Sequence, residues 1–213
     1  MKTLVIPDIH TRIHIAENII YSESPDRVIF LGDYFDALND SLEITNHVAH
    51  WLKNSMKDKD RIHLLGNHDL SYLNDEHRCA GYSEGKYWAI NQSGVDLSKL
   101  KHYYMIDNIL MTHSGLSNDF YSAYNHNERN VGSFLWNMSE NNKDRLYNCS
   151  PFRGGRDAHA GIVWCDWDEF VPIKGVRQIF GHTGDEKVRN IGENYCIDTF
   201  GSSYALIDNE TTE

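Results

Sequence analysis

Three apolar segments near the start of the chain each end in a group of polar residues. The segments span 3–7, 27–31 and 61–65, and their β-branched composition, with Gly or Pro at the boundaries, is typical of buried strands. Amphipathic stretches with helical spacing lie between them, over 13–20 and 42–52. Strands that alternate with helices in this way predict right-handed crossovers and a parallel sheet.

The rest of the chain predicts further short strands and helices. The strands are expected over 102–106, 108–112, 176–180, 187–191, 195–198 and 204–207, in a second sheet that is mixed or antiparallel. Residues 70–101 are polar and aromatic with weak periodicity, and 117–150 have a helical, Asn-rich pattern. Asp40 with Glu43 predicts a capping box at the start of the second helix. Because no repeat or linker interrupts the pattern, we expect one α/β domain over 1–213.

Polar side chains with metal-binding chemistry follow several of these strands. They are Asp8, His10, Asp33, Asp36, Asn67, His68, Asp69, His113 and His182. The carboxyl ends of parallel strands meet at one edge of a sheet, so we expect the groups after the first three strands to converge. Oxygen and imidazole ligands without thiolates suit Mn²⁺, Fe or Zn²⁺. Since there are too many ligands for one ion, the sequence predicts a two-metal site, an arrangement suited to phosphoryl displacement.

Composition narrows the class of protein. Apolar residues make up 40% of the chain, which is enough to fill a core and excludes a fully disordered protein. The chain has 20 Lys and Arg against 31 Asp and Glu, and the resulting net charge of −11 argues against broad nucleic-acid binding. No apolar run approaches the roughly 20 residues of a membrane span, and the N-terminus lacks the pattern of a signal peptide. The four cysteines form no CxxC motif, so we expect reduced thiols and a cytoplasmic protein.

The chain resembles the calcineurin-like metallophosphoesterases in five motifs that occur in the family's order. They are DIH at 8–10, GDYFD at 32–36, GNHD at 66–69, THSGL at 112–116 and GHT at 181–183. The resemblance implies a four-layer α-β-β-α fold, in which two mixed sheets are sandwiched between helices. Within the family the chain looks closest to the phosphoprotein-phosphatase branch and its small bacterial and phage relatives, because GIVWCD at 161–166 and IDTFG at 197–201 are similar to segments of that branch. The phosphodiesterase branch usually carries a second metal-binding His where this chain has Gly184.

The resemblance also implies a role for each motif residue. Asp8, His10 and Asp33 would hold a first divalent ion, with Asp33 bridging to a second ion that Asn67, His113 and His182 complete. The ions would be Mn²⁺, with Fe or Zn²⁺ as alternatives, and a water between them would attack phosphorus in line. His68 would protonate the leaving oxygen as general acid, oriented by Asp36, and Asn67 would also contact the substrate phosphate. Asp69 is expected to cap the following helix rather than to touch metal.

One departure from the phosphatase pattern concerns the substrate phosphate. The phosphatases carry a phosphate-gripping Arg directly after the Asp that matches Asp36, and this chain has Ala37 there. The segment from Arg153 to Arg156 is a candidate replacement, because guanidinium groups bind phosphate oxygens in pairs and two glycines let backbone come close. Arg12 is the next candidate. The alternative is that this segment is only a turn with solvated arginines.

Three functions remain open at this stage. The first is a metal-dependent phosphomonoesterase that acts on a phosphoprotein, a nucleotide or another small phosphate. The second is a phosphodiesterase or a nucleotide hydrolase, including one that cleaves dinucleoside polyphosphates. The third is a non-catalytic scaffold that keeps the metal ligands. Specificity would be decided by 70–101 and 117–170, and the sequence predicts no oligomeric state.

Overall fold

The structure is a computed structural model and describes residues 1–38, 40–125 and 127–208. These residues form two units. The first unit contains Met1–Lys101 and the segment that begins at Phe200, and the second contains His102–Thr199. The prediction of a single domain over 1–213 stays a prediction.

The described residues form nine strands and six α-helices. The strands are β1 (Lys2–Ile6), β2 (Arg27–Phe30), β3 (Arg61–His63), β4 (Tyr103–Ile106), β5 (Ile109–Thr112), β6 (Arg177–Phe180), β7 (Arg189–Ile191), β8 (Asn194–Cys196) and β9 (Ala205–Asp208). The helices are α1 (Ile13–Glu23), α2 (Leu42–Ser55), α3 (Asn67–Leu73), α4 (Glu84–Ser93), α5 (Asn118–Tyr124) and α6 (Val131–Asn141). Each strand lies within a few residues of its predicted position.

The sheet of the first unit has the order β3-β2-β1-β9. Strands β1, β2 and β3 are parallel, and β9 runs antiparallel to β1. β1 is central, and consecutive residues such as Leu4 and Val5 are both fully buried, as expected for a strand covered on both faces. Helix α2 buries Val48, Ala49 and Leu52 along one stripe, which is the helical spacing seen in the sequence.

The predicted capping box at the start of α2 is wrong by one residue. The N-cap is Ser41, which has extended backbone angles and whose side chain accepts a hydrogen bond from the amide of Ile44. Asp40 instead forms an ion pair with Lys86, with 2.5 Å between the charged atoms. The reason is that a serine next in the chain satisfies the helix amide, while the carboxylate of Asp40 has a cationic partner elsewhere in the unit.

The sheet of the second unit has the order β4-β5-β6-β8-β7 and is mixed. β5, β6 and β8 are parallel neighbours, whereas β4 and β7 pair antiparallel at the edges. Its core includes a cluster that contains Phe170 and Phe180, with Trp167 packed against it. The predicted α/β fold with two mixed sheets is confirmed.

Two further expectations concern cysteines and membranes. None of the four cysteines, all within the described residues, is in a disulfide. Among the described helices, none combines the length and the apolar character that crossing a bilayer requires.

Candidate functional site

The backbone orients the imidazole of His10, which follows β1. Its Nδ1 lies 2.9 Å from the carbonyl oxygen of Phe35, and because a carbonyl can only accept, Nδ1 carries the proton. The other ring nitrogen, Nε2, lies 4.0 Å from Oδ2 of Asp8 and 3.7 Å from Oδ2 of Asp33. Both carboxylates are buried. The carboxyl ends of β1 and β2 therefore bring two carboxylates and one imidazole nitrogen together, as the sequence predicts.

Two glycines allow the loops after β2 and β3 to touch. Gly32 has a φ of +109°, and a Cβ there would lie 2.5 Å from the amide nitrogen of Gly66. A Cβ on Gly66 would lie 2.1 Å from Oδ1 of Asp33. Larger residues at either position would push these loops apart, so the glycines of the two motifs place Asp33 at the start of α3.

Asp69 holds these loops in place. Its carboxylate accepts hydrogen bonds from the backbone amides of Asp33 at 2.8 Å, Tyr34 at 2.9 Å and Gly66 at 3.0 Å. The side chain is fully buried. The expectation that Asp69 caps the helix is confirmed, and the same carboxylate also supports the turn that carries Asp33.

Asn67 and His68 are the first residues of α3. Asn67 is buried, and its Nδ2 lies 4.0 Å from the sulfur of Cys79. The amide of His68 donates to Oδ1 of Asp33 at 2.9 Å. The His68 ring packs edge-on against the His10 ring, with 5.1 Å between the centroids. The first unit therefore brings Asp8, His10, Asp33 and His68 together, with Asn67 next in the chain to His68.

Non-glycine residues with a positive φ are concentrated in these loops. They include His10 at 41°, Thr11 at 66°, Asp33 at 53° and Asp36 at 65° in the first unit, and His182 at 73° in the second. Such conformations cost about 1–3 kcal/mol each and persist where surrounding contacts impose them, often at functional sites. Their position at the predicted ligands is therefore consistent with a functional role.

Asp36 is the centre of a buried polar network. Its Oδ2 lies 3.1 Å from Nδ1 of His68, and its Oδ1 accepts from the hydroxyl of Tyr72 at 2.6 Å and the ammonium of Lys86 at 2.9 Å. Sequence reasoning assigned no role to Tyr72 or Lys86. The sequence carried no signal for Lys86, because the helix over Glu84–Ser93 buries a mixture of Lys86, Ile90 and Ser93 rather than an apolar stripe.

The charges in this network shift several pKa values. Burial raises the pKa of Asp36, but hydrogen bonds from His68, Tyr72 and Lys86 outweigh it and lower the pKa. Burial lowers the pKa of His68, but the Asp33 carboxylate and the hydrogen bond to Asp36 raise it to about 12. Burial and the Asp36 carboxylate raise the pKa of Tyr72. The network therefore favours an ionised Asp36 and a protonated His68.

The second unit contains the other two predicted imidazole ligands. His113 directly follows β5 and His182 follows β6 by two residues, and because these strands are parallel neighbours the two side chains lie together. Nε2 of His113 is 3.2 Å from Nδ1 of His182. The Trp164 ring packs edge-on against His182, at 6.0 Å between centroids.

Arg153 and Arg156 have different environments. Arg153 lies in the short 3₁₀ helix Pro151–Arg153, and its Nε is 2.6 Å from Oδ2 of Asp166. Its NH2 group donates to the hydroxyl of Thr183 at 3.0 Å, one residue from His182. Arg156 is exposed.

The two glycines between these arginines have local structural reasons. Gly154 ends the 3₁₀ helix with a φ of +82°. A Cβ at Gly155 would lie 1.9 Å from the carbonyl oxygen of Cys149, so glycine is required by the backbone there. The backbone conformation of the turn therefore explains both glycines, and a bound phosphate is not needed to explain them.

The donor set of the first unit fits a divalent metal ion. His10 and Asp33 belong to a group of side chains whose ligand atoms lie within 4.8 Å of one another, and its third member, His68, is the imidazole paired with Asp36. Metal–ligand bonds of about 2.0–2.2 Å place two ligands of one ion about 3–4 Å apart. The distances of 3.7 Å and 4.0 Å from His10 Nε2 to the two carboxylates fit this spacing and are too long for hydrogen bonds.

Comparison with known proteins gives a consistent result. The chain matches the family model described as calcineurin-like phosphoesterase over residues 1–190. It is similar in structure to the cold-active protein-tyrosine phosphatase of a psychrophilic Shewanella, with 15% identity and a TM-score of 0.61 over 98% of this chain and 75% of that one. Another structure of a cold-active protein tyrosine phosphatase has 16% identity and a TM-score of 0.63, over 98% and 74% of the two chains.

A protein assigned as a diadenosine tetraphosphatase has 16% identity to this chain and a TM-score of 0.50, over 96% of this chain and 88% of that one. No curated protein matches the chain. At these identities the structural likeness shows a shared fold.

Proposed function

The chain belongs to the calcineurin-like phosphoesterase family and is therefore a phosphate-ester hydrolase, and we propose that it is a phosphomonoesterase that depends on two divalent metal ions. The family generally uses a dinuclear divalent metal centre, and this chain has candidate ligand groups for it. The observation that carries the proposal is the convergence of His10 Nε2 with the Asp8 and Asp33 carboxylates, beside the His68–Asp36 pair.

We propose that Asp8, His10 and Asp33 are metal ligands and that Asn67 contributes its amide oxygen. His113 and His182, whose ring nitrogens lie 3.2 Å apart, are proposed as imidazole ligands. Oxygen and nitrogen donors of this kind suit Mn²⁺, with Fe and Zn²⁺ as the competing ions. When bound, such ions supply a nucleophilic water of lowered pKa and offset the charge of the phosphate.

His68 is proposed to move the proton to the leaving oxygen. Because its Nδ1 is hydrogen-bonded to the Asp36 carboxylate at 3.1 Å, Nδ1 keeps its proton and Nε2 is the atom that can donate. Asp36 fixes the orientation of the ring and stabilises its positive charge. A leaving group of high pKa, such as an alkoxide, needs this proton most.

Arg153 is proposed to bind the substrate phosphate. Its guanidinium already reaches the hydroxyl of Thr183, next to the proposed ligand His182. Because Asp166 engages Nε, the two NH2 groups at the end of the guanidinium are the ones that would bind the phosphate oxygen atoms. Arg156, which is exposed, is the second candidate.

The monoester preference rests on the absence of a ligand side chain at Gly184, where the phosphodiesterase branch has a second His. The second candidate function is hydrolysis of a phosphodiester or dinucleoside polyphosphate, which the likeness to the assigned diadenosine tetraphosphatase favours. For a monoesterase, phosphoproteins are the first substrates to examine, because two similar structures are those of protein tyrosine phosphatases. Nucleotides are the next class.

The test compares p-nitrophenyl phosphate with bis-p-nitrophenyl phosphate, using metal-stripped protein reloaded with Mn²⁺. Asp33→Asn serves as the blank because it removes a proposed ligand. Faster hydrolysis of the monoester that disappears in the blank would support a phosphomonoesterase. Faster hydrolysis of the diester would favour the second function, and no hydrolysis of either with metal bound would overturn both.

A further inference from the structure

Lys86 is a nearly buried cation with three acceptors. Its ammonium nitrogen lies 2.9 Å from Oδ1 of Asp36, 2.5 Å from Oδ1 of Asp40 and 3.0 Å from the carbonyl oxygen of Gly81. An ammonium has three N–H donors, so these three acceptors can use all of them. The side chain is therefore held in one place by hydrogen bonds rather than by packing alone.

The contact with Lys86 determines which oxygen of Asp36 is available to His68. Oδ1 receives both the ammonium and the Tyr72 hydroxyl, whereas Oδ2 lies 3.1 Å from Nδ1 of His68. The Asp36 side chain is fully buried, and solvent therefore does not replace either donor if it is lost. Without Lys86, the carboxylate could rotate and leave the His68 ring without a fixed partner.

We propose that Lys86 is a positioning residue for phosphate-ester hydrolysis. It locks the Asp36 carboxylate and so aligns the His68 ring for proton donation, an inference that rests on the proposed role of His68 as general acid. Because Lys86 lies in the first turn of α4, it also attaches this helix of the 70–101 segment to the catalytic residues. The 70–101 segment would then contribute to the rate of proton transfer as well as to the shape of the substrate site.

The test uses Lys86→Met in the metal-loaded enzyme, with substrates that differ in the leaving group. Turnover of an alkyl phosphate is expected to fall about 10–100-fold, the usual effect of losing a residue that orients a catalytic imidazole. Turnover of p-nitrophenyl phosphate, whose leaving group needs little protonation, is expected to change less than about 3-fold. KM for both substrates should change little, since the Lys86 ammonium is engaged by Asp36, Asp40 and the carbonyl oxygen of Gly81.

Lys53→Met is the matched control. The Lys53 ammonium donates to the carbonyl oxygen of Ser93 at 2.8 Å and so attaches the other end of α4. If Lys86 acts only by holding this helix, Lys53→Met would give the same leaving-group dependence, and the proposal would be overturned. A second check compares Asp36→Asn with the double variant Asp36→Asn/Lys86→Met. If Lys86 acts through Asp36, the two variants should turn over alkyl phosphates at the same rate.

Tyr72→Phe keeps the inference testable if Lys86→Met fails to fold. It removes the other donor to Oδ1 of Asp36 while keeping the ring stacked on Tyr82. Turnover of alkyl phosphates should fall less than in Lys86→Met, and turnover of p-nitrophenyl phosphate should again change least. Equal losses on alkyl and aryl phosphates in either variant would overturn the positioning role while leaving the phosphatase proposal intact. Absence of activity in the unmodified enzyme would instead overturn the proposed function itself.

Discussion

His63 should make the stability of the fold depend on pH. The imidazole is buried, stacks on Phe30 with 4.6 Å between centroids, and lies 3.0 Å from both the hydroxyl of Ser55 and that of Tyr34. Burial and the neighbouring Arg61 lower its pKa to about 3. The native ring is therefore neutral at any pH at which the enzyme would be assayed.

The magnitude follows from the difference in proton binding between the two states. In the unfolded chain His63 has the ordinary pKa of about 6.5, so below that pH the unfolded state binds a proton that the native state does not. Stability from this group is complete above pH 6.5 and is lost progressively as the pH falls toward 3. Between about pH 7.5 and about pH 5, the loss is about 2 kcal/mol.

The assay is urea unfolding of the protein and of His63→Gln, in the presence of a chelator, across this pH range. Gln keeps hydrogen-bonding groups near the two hydroxyls but does not titrate, and other ionisable groups contribute equally to both proteins. The variant should be less stable at neutral pH, and its deficit should shrink by about 2 kcal/mol at about pH 5. A deficit that stays constant with pH would refute the assignment of His63 as a buried neutral group.

Three further predictions concern the site. His68→Asn should keep its bound metal and lose roughly 10²–10⁴ in turnover of alkyl phosphates, and unchanged turnover with metal present would remove His68 as the general acid. Arg153→Ala should raise the inhibition constant of inorganic phosphate about 10-fold while Arg156→Ala leaves it nearly unchanged, and the reverse order would move the phosphate contact to Arg156. Asp69→Ala should lower the free energy of unfolding by about 3–5 kcal/mol in urea titrations, because three buried amides lose their acceptor. The exposed Asp75→Ala is its control, and equal effects of the two would contradict the supporting role of Asp69.

Much of the candidate site could be predicted because its residues sit at the ends of strands. The apolar segments and their Gly or Pro boundaries are local signals, and the parallel order of β1, β2 and β3 then brings Asp8, Asp33 and Asn67 to the same edge. His113 and His182 follow the same rule in the other sheet, where β5 and β6 are neighbours. Local pattern and sheet topology together were enough for these residues.

The contacts that support the site could not be predicted in this way. Lys86 and Tyr72, which bind Asp36, are 50 and 36 residues away from it in the sequence. No sequence pattern predicts a hydrogen bond between residues so far apart along the chain. The same holds for Asp40, which looked like a helix cap in the sequence but pairs with Lys86 in the fold. A carboxylate has several acceptable partners, and the nearest one is known only when distant segments have met.

The chain by itself thus determined the strands, the helices α1 and α2, the helical pattern over 117–150 and the chemistry of the polar loops, because these depend on side-chain periodicity and turn preference over a few residues. Only the tertiary structure decided how those loops are held. It showed that the carbonyl oxygen of Cys149 leaves no room for a Cβ at Gly155. It also showed that Arg153 is hydrogen-bonded to Thr183 while Arg156 is exposed, and that the buried Lys86 binds Asp36. Burial and long-range hydrogen bonds arise when the chain packs, so they are properties of the folded molecule rather than of any local stretch of sequence.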